Sequence, residues 1–169
     1  MAKKSAKSTK PEPAAGGKAA KKYVSPKLSI EPLGARVTRA DLIFEGLDHS
    51  GPSFEGRVFL NNNEASAETP TTAENGYAGS FHIFGHGGCY GDDITHCQIT
   101  GPRRPYDPRP AHPLAPARKV LIATDALKLA RARGGEITVT IVPVVYDPSP
   151  KVDYSDVLKL ASISVESYT

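Results

Sequence analysis

The sequence has no apolar run approaching the length needed to span a bilayer, and its lysine-rich start has no apolar segment of the kind a secretory signal carries. Neither a membrane-spanning helix nor a cleaved leader is expected. Cysteine is scarce, with Cys89 and Cys97 as the only two. Without a signal they read most simply as reduced thiols in the cytoplasm, although a partner with its own signal could take the chain along. The usual catalytic signatures are missing too. There is no GxSxG elbow, no HExxH, no phosphate-binding glycine motif and no carboxylate pair in a persuasive setting. Gly85-His86-Gly87-Gly88 has the letters of an esterase oxyanion segment, but not the elbow or the parallel-sheet pattern that should accompany it. Asp48 and His49 fall in a turn, where Asp most often caps backbone groups. No internal repeat is present, and catalysis by this chain alone is not expected.

The 169 residues have room for one domain and a tail. Fifteen prolines and fifteen glycines argue against a helical bundle, while 39% hydrophobic residues are enough for a small core. The formal charge of +3 hides an asymmetry: eight of the 21 basic residues lie in 1–27 beside a single acid, Glu12. The rest keeps thirteen basic against seventeen acidic residues, about −4, so the basic pI belongs to the tail. Residues 1–26 have almost nothing to bury and are expected to be a disordered Lys/Ala/Pro-rich tail ahead of a domain over 27–169. The lysines could serve as an arm for nucleic acid or an anionic surface, or merely as a solubilising leader.

Order is expected to begin near Leu28. Asp41–Leu47 and Phe54–Leu60 read as strands joined through the Gly51-Pro52 turn into a hairpin, with Phe54, Val58 and Leu60 on one face. The long polar stretch 61–75 favours a crossing to a second sheet. Between Pro102 and Pro116 six prolines predict an extended strap, pinned by Tyr106 and Arg103 or Arg104, with a PxxP-type ligand as the other reading. Val120–Ile122 reads as a short strand. A helix of about two turns should follow, capped by Thr124 or Asp125 and ended by Gly134-Gly135. Glu136–Val142 is the cleanest strand, with Ile137, Val139 and Ile141 facing one way and Pro143 breaking it. The apolar parity of Val157–Val165 slips between Leu160 and Ile163, which suggests a bulge in an edge strand. These elements add up to an all-β antiparallel β-sandwich with one short helix.

The densest chemistry lies in Gly76–Cys97, which holds three of the five histidines and both cysteines. Gly76–Phe84 reads as a strand with Phe81 and Ile83 inward and Ser80, His82 and Phe84 on the opposite face. Gly85, Gly87, Gly88 and Gly91 then break it into a loop. His82, His86, Cys89, His96 and Cys97 offer imidazole and thiolate ligands suited to copper or zinc, the thiolates favouring Cu(I). Their spacing fits no zinc-finger pattern. A disulfide between Cys89 and Cys97, or plain packing of these side chains, explains the same residues. Phe84 and Tyr90, beside the glycines, are candidates for partner docking.

Three blocks of this sequence together carry a family resemblance. Gly76–Phe84, with its Ala-Gly-Ser-Phe, is similar to a strand in the C-terminal domain of tyrosinases and polyphenol oxidases. Asp41–Asn62 resembles the preceding strand pair, and Val120–Val145 resembles the closing helical turn and strand. The likeness covers roughly residues 36–146. The two histidine triplets that hold the copper pair in the catalytic domain of that family are not in this chain. The resemblance therefore implies a non-catalytic accessory β-sandwich domain, with a tyrosinase-like copper oxidase as its partner, shielding or helping to mature the partner's site. In that family the domain covers the dicopper site and an aromatic side chain can occupy the substrate pocket, a part Tyr90 could play by resemblance. A copper carrier using the cluster of residues 82–97 is the competing expectation, and a module directed by its lysine tail the third.

Overall fold

The computed structural model describes residues 20–31, 33, 36–85, 106, 115–146 and 154–169. Nine strands and a single α-helix occupy these residues. A four-stranded sheet has the order β1-β8-β4-β5, built from Tyr23–Val24, Val139–Val144, Phe54–Leu60 and Tyr77–Ile83. A three-stranded sheet has the order β6-β3-β9, from Ala117–Ile122, Arg39–Leu47 and Ser162–Tyr168. A two-residue ladder joins β2 (Leu28–Ser29) to β7 (Glu136–Ile137). Every pairing is antiparallel. The helix α1 covers Thr124–Arg131. The expected all-β class with one short helix therefore holds among the described residues, none of whose helices is long and apolar enough to cross a membrane.

The two larger sheets share one core. Alternation sends Leu42 and Phe44 of β3 to one side, while Val58 of β4, Phe81 and Ile83 of β5, and Val139 and Ile141 of β8 meet them from the other sheet. The ring of Phe44 lies 4.8 Å from that of Phe81, a tilted pair that joins the sheets. Leu127 and Ala130 of α1 close one end of this core. A second small cluster of Phe59, Ala65 and Val142, with Tyr77 beside it, forms on the outer face of the four-stranded sheet.

Several local expectations change. β3 and β4 do not form a hairpin, because β3 pairs with β6 and β9 while β4 pairs with β5 and β8. The chain changes sheets there. Gly46 takes a positive φ of 69°, and the β3–β6 register shifts between Phe44 and Leu47. Conversely, residues 61–76 return to the same sheet. Their ends are tied by Leu60 N–H donating to the Gly76 carbonyl at 2.7 Å and by Asn62 Nδ2 to the Asn75 carbonyl at 2.8 Å. Length alone did not force a crossing, because the loop buries Ala65 and closes on itself.

The strand read over 136–142 is divided at Thr138, whose N–H donates to Asn61 Oδ1 and whose carbonyl accepts from Asn61 N–H, both at 2.9 Å. Ile137, Val139 and Ile141 are all buried in the core, as expected. Pro143 does not end β8. β1 reaches only Thr140 and Ile141, so β8 is already an edge at Pro143 and its missing N–H costs no ladder bond.

Thr124 does not cap α1 through its side chain. Its hydroxyl instead accepts from Ala40 N–H at 3.0 Å, fastening the helix to β3. Gly134 and Gly135 take no positive φ, and the helix closes through Arg133 N–H to Ala130 O and Gly134 N–H to Arg131 O. The last strand starts at Ser162, keeps an unbroken register against β3 and lies at a sheet edge; the parity slip reflects residues 157–161 lying outside it. β1 lies ahead of the expected onset of order near Leu28. The tail up to residue 19 and most of the proline series fall outside the described residues. Tyr106, expected to pin that strap, is fully exposed at 101%.

Candidate functional site

Strand β5 does what its alternation indicates. Phe81 and Ile83 are buried, while His82 is exposed and Phe84 is 82% exposed just past the strand end. The exit from β5 is fixed by Gly85, whose N–H donates to Ser53 Oγ at 2.9 Å. A Cβ on Gly85 would lie 2.0 Å from the Gly51 carbonyl oxygen, so only glycine lets the chain press against the β3–β4 turn. That turn is shaped by Ser50 N–H donating to Asp48 Oδ1 at 2.9 Å, the backbone-capping role expected of Asp48. His49 Nε2 donates to the Ala115 carbonyl at 2.8 Å, so this histidine serves the structure. Phe84 is thus an exposed aromatic ring at a strand end fastened to the β3–β4 turn.

Beside it, on the same outer face, β4 presents Glu55 and Arg57, two residues apart and therefore on one side of the strand. His82 lies directly opposite Glu55 in the ladder. Glu55 is only 8% exposed, and its carboxylate accepts from Arg57 Nε at 3.0 Å, from the Tyr146 hydroxyl and from Ser80. Burial pushes its pKa up, but these donors and the Arg57 charge outweigh it and hold the carboxyl below its ordinary 4.5. The same carboxylate holds the Tyr146 phenol above its ordinary 10.0. Arg57 also donates to the Ala67 carbonyl at 3.0 Å, fastening the 61–76 loop. Three donors thus converge on the Glu55 carboxylate and tie it into the strand surface. The Glu55–Arg57–Tyr146 network forms a floor on this face, beside which His82 and Phe84 are exposed.

Of the five proposed metal ligands the structure describes only His82, which stands on an exposed strand face; His86, Cys89, His96 and Cys97 lie outside the described residues, as does Tyr90. Among the described residues no group of three or more His, Cys, Asp or Glu side chains comes together as a metal site. Two features escaped the sequence reading. The i, i+2 spacing of Glu55 and Arg57 was a visible signal, but Tyr146 joins them only through the fold. The other is a cleft of about 480 Å³ between α1 and the β4–β5 end, with Ile122, Tyr77 and Leu129 in its walls and Asp125 and Arg133 at its rim.

No family model and no curated protein matches the chain. Among solved structures, a latent aurone synthase (polyphenol oxidase) from natural source is similar at a TM-score of 0.49 and 15% identity, over 92% of this chain and 25% of that one. A recombinantly expressed latent aurone synthase co-crystallised with hexatungstotellurate(VI) is similar at 0.49 and 18% identity, over 87% of this chain and 24% of that one. At these values the likeness concerns the course of the backbone and carries nothing about activity. The chain spans about a quarter of the length of the structures it matches.

Proposed function

We propose that this chain is a non-catalytic accessory domain that docks on a tyrosinase-like copper oxidase and shields its active site or assists its maturation. The partner class comes from the resemblance of the three sequence blocks, which coincide with β3–β4, β5 and β6-α1-β8. The observation that carries the docking reading is Phe84, an aromatic ring 82% exposed at a fixed strand end, next to exposed His82 and Tyr146. A large apolar side chain displayed on rigid backbone suits an interface anchor. Tyr90, in the glycine-rich sequence that follows, is the natural second anchor. The partner-facing role does not require the chain to carry copper itself.

The test is co-expression with a tyrosinase-like oxidase that lacks such a domain, encoded near this chain. Co-purification is expected, together with lower activity of the oxidase in the complex or fuller copper loading after release. Phe84→Ala should weaken association by more than about 1 kcal/mol, as truncating an aromatic anchor does. It should leave the domain as stable as before, since surface substitutions usually stay within about 0.5 kcal/mol. No co-purification, with copper content and activity unchanged by the chain, would refute the proposal.

A further inference from the structure

The edges of the sheets are not alike. β1 is two residues long, and β5 is interrupted by a register shift opposite Val58 and Phe59. β6 follows Pro116, includes Arg118 and Lys119, and has its own register shift against β3. Short strands, bulges, cations and prolines are what keep an edge from pairing with another chain. β9 has none of them. Ser162–Tyr168, SISVESY, has no proline, glycine or lysine, and it pairs with β3 over seven consecutive residues without a shift. No described strand lies on its other side, and Ser162, Ser164, Glu166, Ser167 and Tyr168 are exposed. Half of its backbone N–H and C=O groups therefore point away from β3 and are complementary to one more extended chain.

We propose that this strand pairs antiparallel with the same strand of a second copy, joining two three-stranded sheets into one six-stranded sheet about a twofold axis. The strand's own pattern favours a copy of itself. Centred on Ser164, the pairing sets Ile163 opposite Val165 of the second copy, extending the core-side apolar row that both residues already continue. On the outer face Ser164 meets Ser164, and Ser162 meets Glu166, the only charged side chain in the strand. No two like charges stand opposed. Each Glu166 is already engaged within its own chain, accepting from the Tyr168 hydroxyl at 2.8 Å and lying 3.9 Å from Arg118. A twofold contact of this kind uses one patch on both copies and closes at two. The surface is separate from the Phe84 face, so it can be tested on this chain alone.

Sedimentation of the whole chain from micromolar to submillimolar concentration should show a reversible dimer. Ser164→Lys puts two ammonium groups opposite each other at the axis and should raise the dissociation constant by about tenfold or more, with the circular dichroism unchanged. In a Cys89→Ser/Cys97→Ser background, Ser164→Cys should oxidise to a disulfide-linked dimer well ahead of Ser162→Cys, because only position 164 faces itself. If Ser164→Lys fails to fold, the cysteine pair still decides. A monomer at every concentration, a dimer indifferent to Ser164→Lys, or equal cross-linking from positions 162 and 164 would overturn the proposal.

Discussion

Replacing Gly56 with alanine tests how tightly its own sheet seats the Phe81 ring, the ring that meets Phe44 of the other sheet. Gly56 lies opposite Phe81, whose ring covers it: a Cβ there would meet ring carbons of Phe81 at 2.5, 2.8 and 2.9 Å. The ring cannot slide away freely, because it also sits 4.8 Å from Phe44 and 6.4 Å from Phe54. Two effects compete. Gly56 uses no positive φ, so alanine should regain about 0.5–1 kcal/mol of the entropy that a strand glycine gives up. Against this, an extra methyl in a packed core costs about 1–3 kcal/mol, and three contacts below 3.0 Å put this site toward the upper end. The net expectation is a loss of about 1–2 kcal/mol, a sizeable share of an ordinary domain's stability. Urea unfolding followed by circular dichroism measures it, with the slope checked for constancy. The partner substitution sharpens the test. In a Phe81→Leu background the ring is gone, so Gly56→Ala should be neutral or stabilising, and the double-mutant cycle should show strong coupling. Gly56→Ala as stable as the parent with Phe81 intact, or no coupling between the two sites, would mean that the ring does not rest on the glycine.

Three further outcomes follow from other parts of the molecule. Val139→Asp places a charge at a fully buried core position facing Leu60 and should cost several kcal/mol, so that soluble, cooperatively unfolding protein would reverse the assignment of that strand's faces. Glu55 is held below its ordinary 4.5, so its stabilisation is present at neutral pH and lost as pH falls through the folded-state pKa. The gap in urea midpoint between the native protein and Glu55→Gln should therefore narrow from about pH 7 to about pH 3, and a constant gap would show that the carboxylate's contacts contribute nothing. Cys89→Ser/Cys97→Ser should keep partner association. Uptake of about one Cu(I) per chain by the reduced protein, abolished in that double variant, would instead make residues 82–97 a metal site.

Features legible in the amino-acid order were local ones. Side-chain alternation is a property of the strand and needs no neighbour, so the inward residues of β4, β5 and β8 were readable: Phe54, Val58 and Leu60, then Phe81 and Ile83, then Val139 and Ile141. The same rule put His82 and Phe84 on the solvent side, where they are. The all-β class followed from proline, glycine and short apolar alternation. Which strand pairs with which did not follow. β3 and β4 are adjacent in sequence and lie in different sheets, while β4 and β5 flank a long polar loop and pair directly. Loop length is a weak guide, since the entropy of closing a loop grows only slowly with its length, whereas shared burial decides the pairing. Pro143 could stay in a strand because β1 ends before reaching it, and Thr124 gave up its cap because Ala40 N–H offered a partner across 84 residues. The Glu55–Arg57–Tyr146 floor beneath the exposed face brings together groups up to 91 residues apart. Such contacts are created by packing and exist only once the sheets have assembled.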